Sequence, residues 1–137
     1  MDSEKFAKLK KIIDKEVSFN EQNASEKVYL SSQYYQKYLD IYTNECLELE
    51  DLKLDMNKVY GERLHHYKYN DSYEWDSQAQ LTAKIHSDQK YIDVAQKFNR
   101  QKIIVDYLEK TLKNISGMTY AIREFRELKL FFSGRNY

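Results

Sequence analysis

The sequence predicts an all-α protein built on a long antiparallel helical hairpin, with a short N-terminal helix and a C-terminal oligomerisation helix. The 137 residues contain no proline and only three glycines, and these are the residue types that most often interrupt helices. Apolar side chains also recur every three or four residues over long stretches, which is the spacing of an amphipathic helix. We therefore expect residues 1–137 to form a single helical domain.

The N-terminal helix is expected to be short and to end before a polar turn. Its apolar residues are Phe6, Leu9, Ile12, Ile13 and Val17. Asp2 or Ser3 is suited to cap it, because short polar side chains accept hydrogen bonds from unpaired backbone N–H groups. The polar residues at 18–27 predict a turn, with Asn23 or Ser25 as the cap of the next helix.

The second helix is predicted to run from about residue 24 to residue 67, so that residues 1–70 form the N-terminal half. Its seam repeats as a heptad pattern: Tyr35, Tyr38, Tyr42, Glu45, Leu49, Leu52, Met56 and Val59. Glu45 is the one polar member of that seam. A helix of this length would extend for ~65 Å, so it should pack along another long helix.

The other long helix is predicted to follow a polar, aromatic loop at 71–77, where Asp76 or Ser77 would cap it. It would span about residues 78–115 and begin the C-terminal half, 78–137. Its apolar stripe is Leu81, Ile85, Ile92, Ala95, Ile103, Ile104, Leu108, Leu112 and Ile115. Antiparallel packing against the preceding helix is the simplest way to bury both seams.

The C-terminal segment is predicted to follow a break or kink at 116–119, because Gly117 comes soon after the apolar stripe. Residues 118–133 then carry apolar side chains on more than one face: Tyr120, Ile122, Phe125, Leu128, Leu130, Phe131 and Phe132. A helix that is apolar on several faces must be buried on several sides. We expect this segment to be an assembly surface, with packing inside the chain as the alternative.

No motif indicates enzymatic chemistry or a cofactor. No two glycines lie close together, which excludes a phosphate-binding glycine loop. His65 and His66 are adjacent, so on a helix their side chains point about 100° apart and do not share a metal. We expect no catalytic residues, no metal and no cofactor.

The same composition favours a soluble, intracellular protein. The uncharged runs are far too short to span a membrane, and the N-terminus lacks the apolar core of a signal peptide. Cys46 is the only cysteine, so it cannot form a disulfide within the chain, which suits a reducing compartment.

Binding of single-stranded DNA is the function that the residues favour most. The candidate contacts are Lys58, Arg63, His65, His66, Tyr67 and Lys68. Tyr60 and Tyr69 are interleaved with them. Cations neutralise phosphates, and exposed aromatic rings stack on unpaired bases. The alternative is that Leu64 and Tyr67 continue the core of the hairpin while the cations face solvent.

A second basic stretch offers a further phosphate track. Its residues are Lys90, Lys97, Arg100 and Lys102. Lys90 and Lys97 are seven residues apart and so share a helix face. The net charge is zero, yet residues 89–137 hold ten basic and five acidic side chains. Such basic zones attract polyanions locally, although solvated helix faces explain them equally well.

The stretches ERLHHY at 62–67 and YAIREFRELKLFFSG at 120–134 resemble the UvsY recombination mediators of T-even-type phages. The resemblance spans nearly the whole chain and includes KEVSFN at 15–20 and YQKYL at 35–39. Within ERLHHY, the arginine, leucine and tyrosine match a basic family motif of the type KARLDYY. The family's lysine two residues before the arginine is Gly61 here, so one DNA contact is missing.

This resemblance implies a non-enzymatic protein that binds single-stranded DNA and helps a phage recombinase to replace the single-strand-binding protein. It makes Arg63 the leading DNA contact and implies the cytoplasm of the infected host as the location. It also implies a ring-like homo-oligomer of about six or seven subunits. The implied assembly residues are Tyr120, Ile122, Phe125, Leu128, Phe131 and Phe132.

The alternative function is that of a structural coiled-coil phage protein, such as a scaffold or tail component. It predicts the same apolar seam and the same self-association, but no affinity for DNA.

Overall fold

The structure is a computed structural model that describes residues 1–70 and 77–134. In these ranges four α-helices follow one another: α1 (Ser3–Val17), α2 (Ala24–His65), α3 (Gln78–His86) and α4 (Gln89–Phe132). α2 continues directly into a π-helical turn, His66–Asn70. The described ranges contain no strand, so the all-α prediction is confirmed.

Two of the helices begin at caps that the sequence indicated. The Asp2 carboxylate accepts a hydrogen bond from the backbone N–H of Lys5 at 2.8 Å, at the start of α1. The Ser77 hydroxyl accepts one from the backbone N–H of Gln80 at 3.2 Å, at the start of α3. The predicted loop at 71–77, apart from Ser77, lies outside the described residues, as does the alternative cap Asp76.

The chain forms two compact units, and each contains a part of both long helices. Unit 1 comprises Met1–Asn44 and the chain from Asp106 onward; unit 2 comprises Glu45–Val105. The boundary crosses α2 and α4 rather than falling in a loop. A single domain over residues 1–137 stays a prediction.

In unit 1 the start of α2 lies beside the end of α4, and α1 packs against them. Arg126 near the end of α4 donates to the Ser25 hydroxyl near the start of α2, at 2.5 Å. The core contains Tyr38 from α2, with side chains from α4 that recur every three or four residues. Those buried α4 residues are Leu108, Leu112, Ile115, Met118 and Ile122.

In unit 2 the second half of α2 runs antiparallel to the first part of α4. Near the unit boundary, the Gln101 amide donates to the backbone carbonyl of Glu45 at 2.9 Å and to its carboxylate at 2.6 Å. Farther along, the rings of Tyr60 and Tyr91 meet edge to face at 5.7 Å. Later residues of α2 thus meet earlier residues of α4, which confirms the antiparallel hairpin. Glu45, the polar member of the predicted seam, is buried and paired with an amide.

The prediction of one continuous helix over 78–115 was wrong, because a break at Ser87 and Asp88 separates α3 from α4. The backbone N–H groups of Ser87 and Asp88 turn back to carbonyls of α3. The Asp88 carboxylate then accepts hydrogen bonds from the backbone of Lys90 and Tyr91, which caps α4.

Of the predicted break or kink at 116–119, the break was wrong, because α4 continues through Gly117 to Phe132. A glycine inside a helix costs about 1 kcal/mol relative to alanine. Burial of Met118 and Ile122 against Ala24 offsets this cost, since each large apolar side chain contributes about 1.5–3 kcal/mol when fully buried. Packing therefore outweighs the local preference of the glycine.

Candidate nucleic-acid interface

Asp88 is the centre of a hydrogen-bonded network at the C-terminal end of α2. One carboxylate oxygen caps α4 by accepting from the backbone N–H of Lys90 at 2.9 Å and of Tyr91 at 3.3 Å. The other accepts from Nε of Arg63 at 3.0 Å and from the Tyr67 hydroxyl at 2.5 Å. A single carboxylate therefore joins the end of α2 to the start of α4.

The electrostatics of this network favour the ionised form of Asp88. Burial alone raises the pKa of its carboxyl group. The Tyr67 hydrogen bond, the backbone hydrogen bond from Tyr91 and the charge of Arg63 outweigh burial and lower that pKa below its ordinary value. The side chains of Arg63 and Asp88 are 16% and 8% exposed. The pair is thus a largely enclosed ion pair.

Tyr67 belongs to the core of unit 2 and does not offer its ring to solvent. It packs with Leu81 and Ile85 of α3 and is buried. The Arg63 guanidinium lies 5.2 Å from the centre of its ring, and the Lys84 ammonium lies 5.6 Å from it. In this arrangement Tyr67 positions neighbouring cations, and its ring is not free to stack on a base.

The exposed part of the predicted motif includes Tyr69, which was not among the candidate contacts. Its ring is 66% exposed. It lies 5.1 Å from the His65 ring, and the Lys68 ammonium lies 5.4 Å from its centre. Lys58 is exposed, whereas His66 is partly buried and therefore less accessible. Two tyrosines stood close together in the sequence, and burial selects the second of them as the available ring.

Helical geometry explains why the motif divides in this way. Successive residues of an α-helix turn by about 100°, so Lys58 and His65, seven residues apart, share one face. Arg63 lies five residues after Lys58 and therefore points to the opposite side, toward Asp88. The sequence reasoning missed Asp88 and Lys84 because both lie on elements that only the fold brings to the end of α2.

The second basic stretch lies on α4, and its members do not form one line. Lys90, Lys97, Arg100 and Lys102 are all exposed. Lys90 and Lys97 share a face, but Lys102 is about 140° around the helix from Lys97. A single straight phosphate track over these residues is therefore not present.

The apolar C-terminal part of α4 is largely open to solvent. The exposed members of the predicted assembly set are Tyr120 at 64%, Phe125 at 38%, Leu128 at 55%, Phe131 at 64% and Phe132 at 80%. Ile122 differs from them, because it is 1% exposed and packs with Ala24 and Met118 inside unit 1. Ile122 thus acts in the core, and the other five define an apolar surface.

Neither a metal site nor a membrane span is found in the described part of the chain. No group of three or more His, Cys, Asp or Glu side chains could hold a metal ion in residues 1–70 and 77–134. None of the described helices is long and apolar enough to cross a membrane.

Solved structures of the bacteriophage T4 recombination mediator protein UvsY share this fold. One crystal form gives a TM-score of 0.78 at 18% sequence identity, covering 91% of this chain and 96% of the T4 chain. A second gives 0.78 at 17% identity, covering 97% and 98%. No curated protein sequence matches the chain.

The sequence itself matches a protein family over residues 7–135, nearly its whole length. That family is described as "Recombination, repair and ssDNA binding protein UvsY". The resemblance seen in the sequence is therefore confirmed, and this chain belongs to the UvsY family.

Proposed function

We propose that this protein binds single-stranded DNA and promotes loading of a phage recombinase onto DNA coated by single-strand-binding protein. The observation that carries the proposal is the family match over residues 7–135, together with an exposed cationic and aromatic group at the end of α2. That group, the α2-end patch, comprises Lys58, His65, Lys68 and Tyr69. It is the part of the predicted motif that remains accessible.

The chemistry of the α2-end patch suits a single strand. Lys58 and Lys68 can neutralise phosphates, and the exposed Tyr69 ring can stack on an unpaired base. Arg63, the leading contact in the sequence, is tied to Asp88, so its main role here is to position the end of α2. The Arg63 side chain is partly exposed, so its terminal guanidinium nitrogens can still attract a phosphate.

Assembly into an oligomer is expected to raise the affinity for DNA, because the α2-end patch of one subunit alone should bind weakly. Leu128, Phe131 and Phe132 are large apolar side chains exposed within one short segment. Apolar surface concentrated in this way seldom remains free on a monomer. A ring of about six or seven subunits would repeat the α2-end patch, and linked sites can raise affinity by about 10²–10⁴ without new contacts. The ring would then hold a strand extended for recombinase loading.

The experiment measures binding to oligothymidine over a salt series together with mass in solution. We expect binding that weakens with salt, and Lys68→Ala should reduce the salt dependence by roughly one counterion per subunit that contacts DNA. Arg63→Ala should weaken binding as well, through both its charge and its positioning role. Binding by Lys68→Ala that is identical to wild type at every salt concentration would contradict the α2-end patch.

Assembly is tested by placing a charge on the apolar surface. Leu128→Glu should give monomers in analytical ultracentrifugation, because a carboxylate cannot be buried there without a partner. Thr119→Glu is the matched control, since Thr119 is exposed on α4 outside the proposed apolar set. A wild-type sedimentation profile for Leu128→Glu would refute this surface.

A structural coiled-coil protein is the second candidate function. The antiparallel pairing of α2 and α4 within each unit favours it, since such pairing needs no ligand to explain it. It predicts assembly without DNA affinity. Oligothymidine binding at low salt decides between the two functions.

A further inference from the structure

A surface groove in unit 2 is formed by α2, α3 and α4, and its lining includes none of the four residues of the α2-end patch. Its volume is about 440 Å³, within the ~300–1,000 Å³ typical of small-molecule sites. The residues that matter for its chemistry are Met56, His86, Tyr91, Gln96, Phe98 and Asn99. Nothing in the proposed DNA contacts or in the assembly surface uses this groove.

The lining combines flat apolar groups with amides at the rim. Tyr91, Phe98 and Met56 are partly buried, so each presents part of its apolar surface to the groove. Gln96 and Asn99 are exposed, and each amide offers both donors and acceptors. Apolar walls with amides at the edge match a nucleobase, whose faces stack and whose edge forms hydrogen bonds.

One wall of the groove is held in place before any ligand binds. The Tyr91 ring meets the His86 ring at 5.2 Å and the Tyr60 ring at 5.7 Å, both edge to face. The backbone N–H of Tyr91 also donates to the Asp88 carboxylate. A ring fixed by two neighbours and by a helix cap loses little freedom when a base stacks on it.

Two lysines are placed by helical spacing on the faces that form the groove. Lys102 follows Phe98 by four residues on α4, and Lys53 precedes Met56 by three residues on α2. Both are exposed, and in the described residues neither ammonium forms an ion pair with a carboxylate. They can therefore attract the phosphates on either side of a base in the groove.

We propose that this groove is a second contact for single-stranded DNA and takes one unpaired nucleobase. The base stacks against Tyr91 and Phe98, with Gln96 and Asn99 at its edge. Lys53 and Lys102 bind the flanking phosphates. This inference rests on the proposed function and extends it, because it adds a second base-stacking site to the one that Tyr69 offers.

The test compares oligothymidine with an abasic oligomer of the same length, which has the phosphates but no bases. Wild type should bind oligothymidine more tightly. Phe98→Leu should reduce this base preference by about tenfold, while leaving abasic binding and the salt slope unchanged. The matched control is Tyr29→Leu, which removes an exposed ring outside the groove and should leave the base preference intact.

A second measurement covers the case in which Phe98→Leu fails to fold. Gln96→Leu changes an exposed side chain at the rim and should alter the fluorescence quenching of 2-aminopurine placed in the oligomer. A base preference of folded Phe98→Leu equal to that of wild type, or quenching unchanged in Gln96→Leu, overturns the groove as a base site. An apolar side chain of a partner protein would then be the better occupant.

The outcomes also separate this inference from the proposed function. If wild type binds both oligomers equally, the groove is refuted while single-strand binding stands. If wild type binds neither oligomer at low salt, the proposed function itself fails.

Discussion

Units 1 and 2 each contain a carboxylate that joins a tyrosine hydroxyl and a cation from a neighbouring element. In unit 1, Glu16 at the end of α1 accepts from the Tyr38 hydroxyl and from the Lys37 ammonium, the latter at 2.8 Å. In unit 2, Asp88 accepts from Tyr67 and Arg63. The chemical groups are similar, but their surroundings differ.

The difference lies in enclosure and in the number of helices joined. The Lys37 side chain is 47% exposed, whereas that of Arg63 is 16% exposed. Asp88 also caps α4, while Glu16 attaches one short helix to α2. A cation of the predicted DNA-contact motif is thus enclosed by the same arrangement that in unit 1 attaches a terminal helix.

The strongest test of this difference removes the more enclosed carboxylate. Asp88→Ala should destabilise the protein by about 2 kcal/mol, because it removes the side chain that caps α4, and it also leaves Arg63 without its carboxylate partner. Urea unfolding measures the change. Asp88→Asn is the matched control: it retains a good capping side chain but no charge, and should cost less. Equal stability of Asp88→Ala and wild type would contradict the role given to Asp88.

The corresponding change in unit 1 should be milder. Glu16→Ala is expected to cost about 1 kcal/mol, because Lys37 is half exposed and water can replace the lost hydrogen bonds. The same urea titration measures it. A loss larger than that of Asp88→Ala would reverse the comparison and show that attachment of α1 is the greater contribution.

A position just outside the Asp88 network should tolerate a new cation. Gly61 shares the outer face of α2 with Lys58 and His65, and no atom lies within 4 Å of a Cβ built on it. Gly61→Ala should stabilise the protein by about 0.5–1 kcal/mol through helix propensity. Gly61→Lys should add a similar gain and increase the salt slope of oligothymidine binding. Lower stability of both variants, measured by thermal unfolding, would show that the glycine is needed.

Acid should remove the charge-dependent part of the two carboxylate contributions in sequence, that of Glu16 before that of Asp88. The pKa of each carboxyl is lowered in the folded protein despite burial, Glu16 chiefly by hydrogen bonds from Lys37 and Tyr38. When the pKa of a carboxyl is lower in the folded state, its charge stabilises the fold at pH values above the ordinary pKa. That stabilisation is lost as the pH falls below the ordinary pKa. The stability gap between wild type and Glu16→Gln should therefore narrow below pH 4.5, and that of Asp88→Asn below pH 3.8. Gaps that stay constant down to about pH 2 would exclude ionisation as their source.

The long helices and two caps could be predicted because their signals are local. Heptad spacing identified α2, and Asp2 and Ser77 stand where capping residues are expected. The break at Asp88 was missed because one of the contacts that hold it is not local. The Asp88 carboxylate accepts a hydrogen bond from Arg63, which is 25 residues away in the sequence. At Gly117 the error was the opposite one: the sequence predicted a break that is not there, because burial of the neighbouring side chains outweighs the local preference of glycine.

The candidate site was predictable in composition but not in orientation. The sequence identified the cations and tyrosines of residues 58–69, yet it could not assign Tyr67 to the core and Tyr69 to the surface. That assignment depends on where α3 packs, and α3 begins beyond the loop. The groove beside Tyr91 was likewise hidden, because its residues come from three helices.

The π-helical turn at His66–Asn70 sets the direction of the side chains at the end of α2 separately from the rest of the helix. Each of its hydrogen bonds encloses one more residue than an α-helical bond does. Deleting one residue there would convert the turn to α-helical geometry and change the direction of the side chains within it, such as Lys68 and Tyr69, rather than simply shorten the chain. The 42 residues of α2 would keep their register with α4. Gain or loss of a single residue in this turn can therefore change which side chains face outward while the hairpin core stays the same.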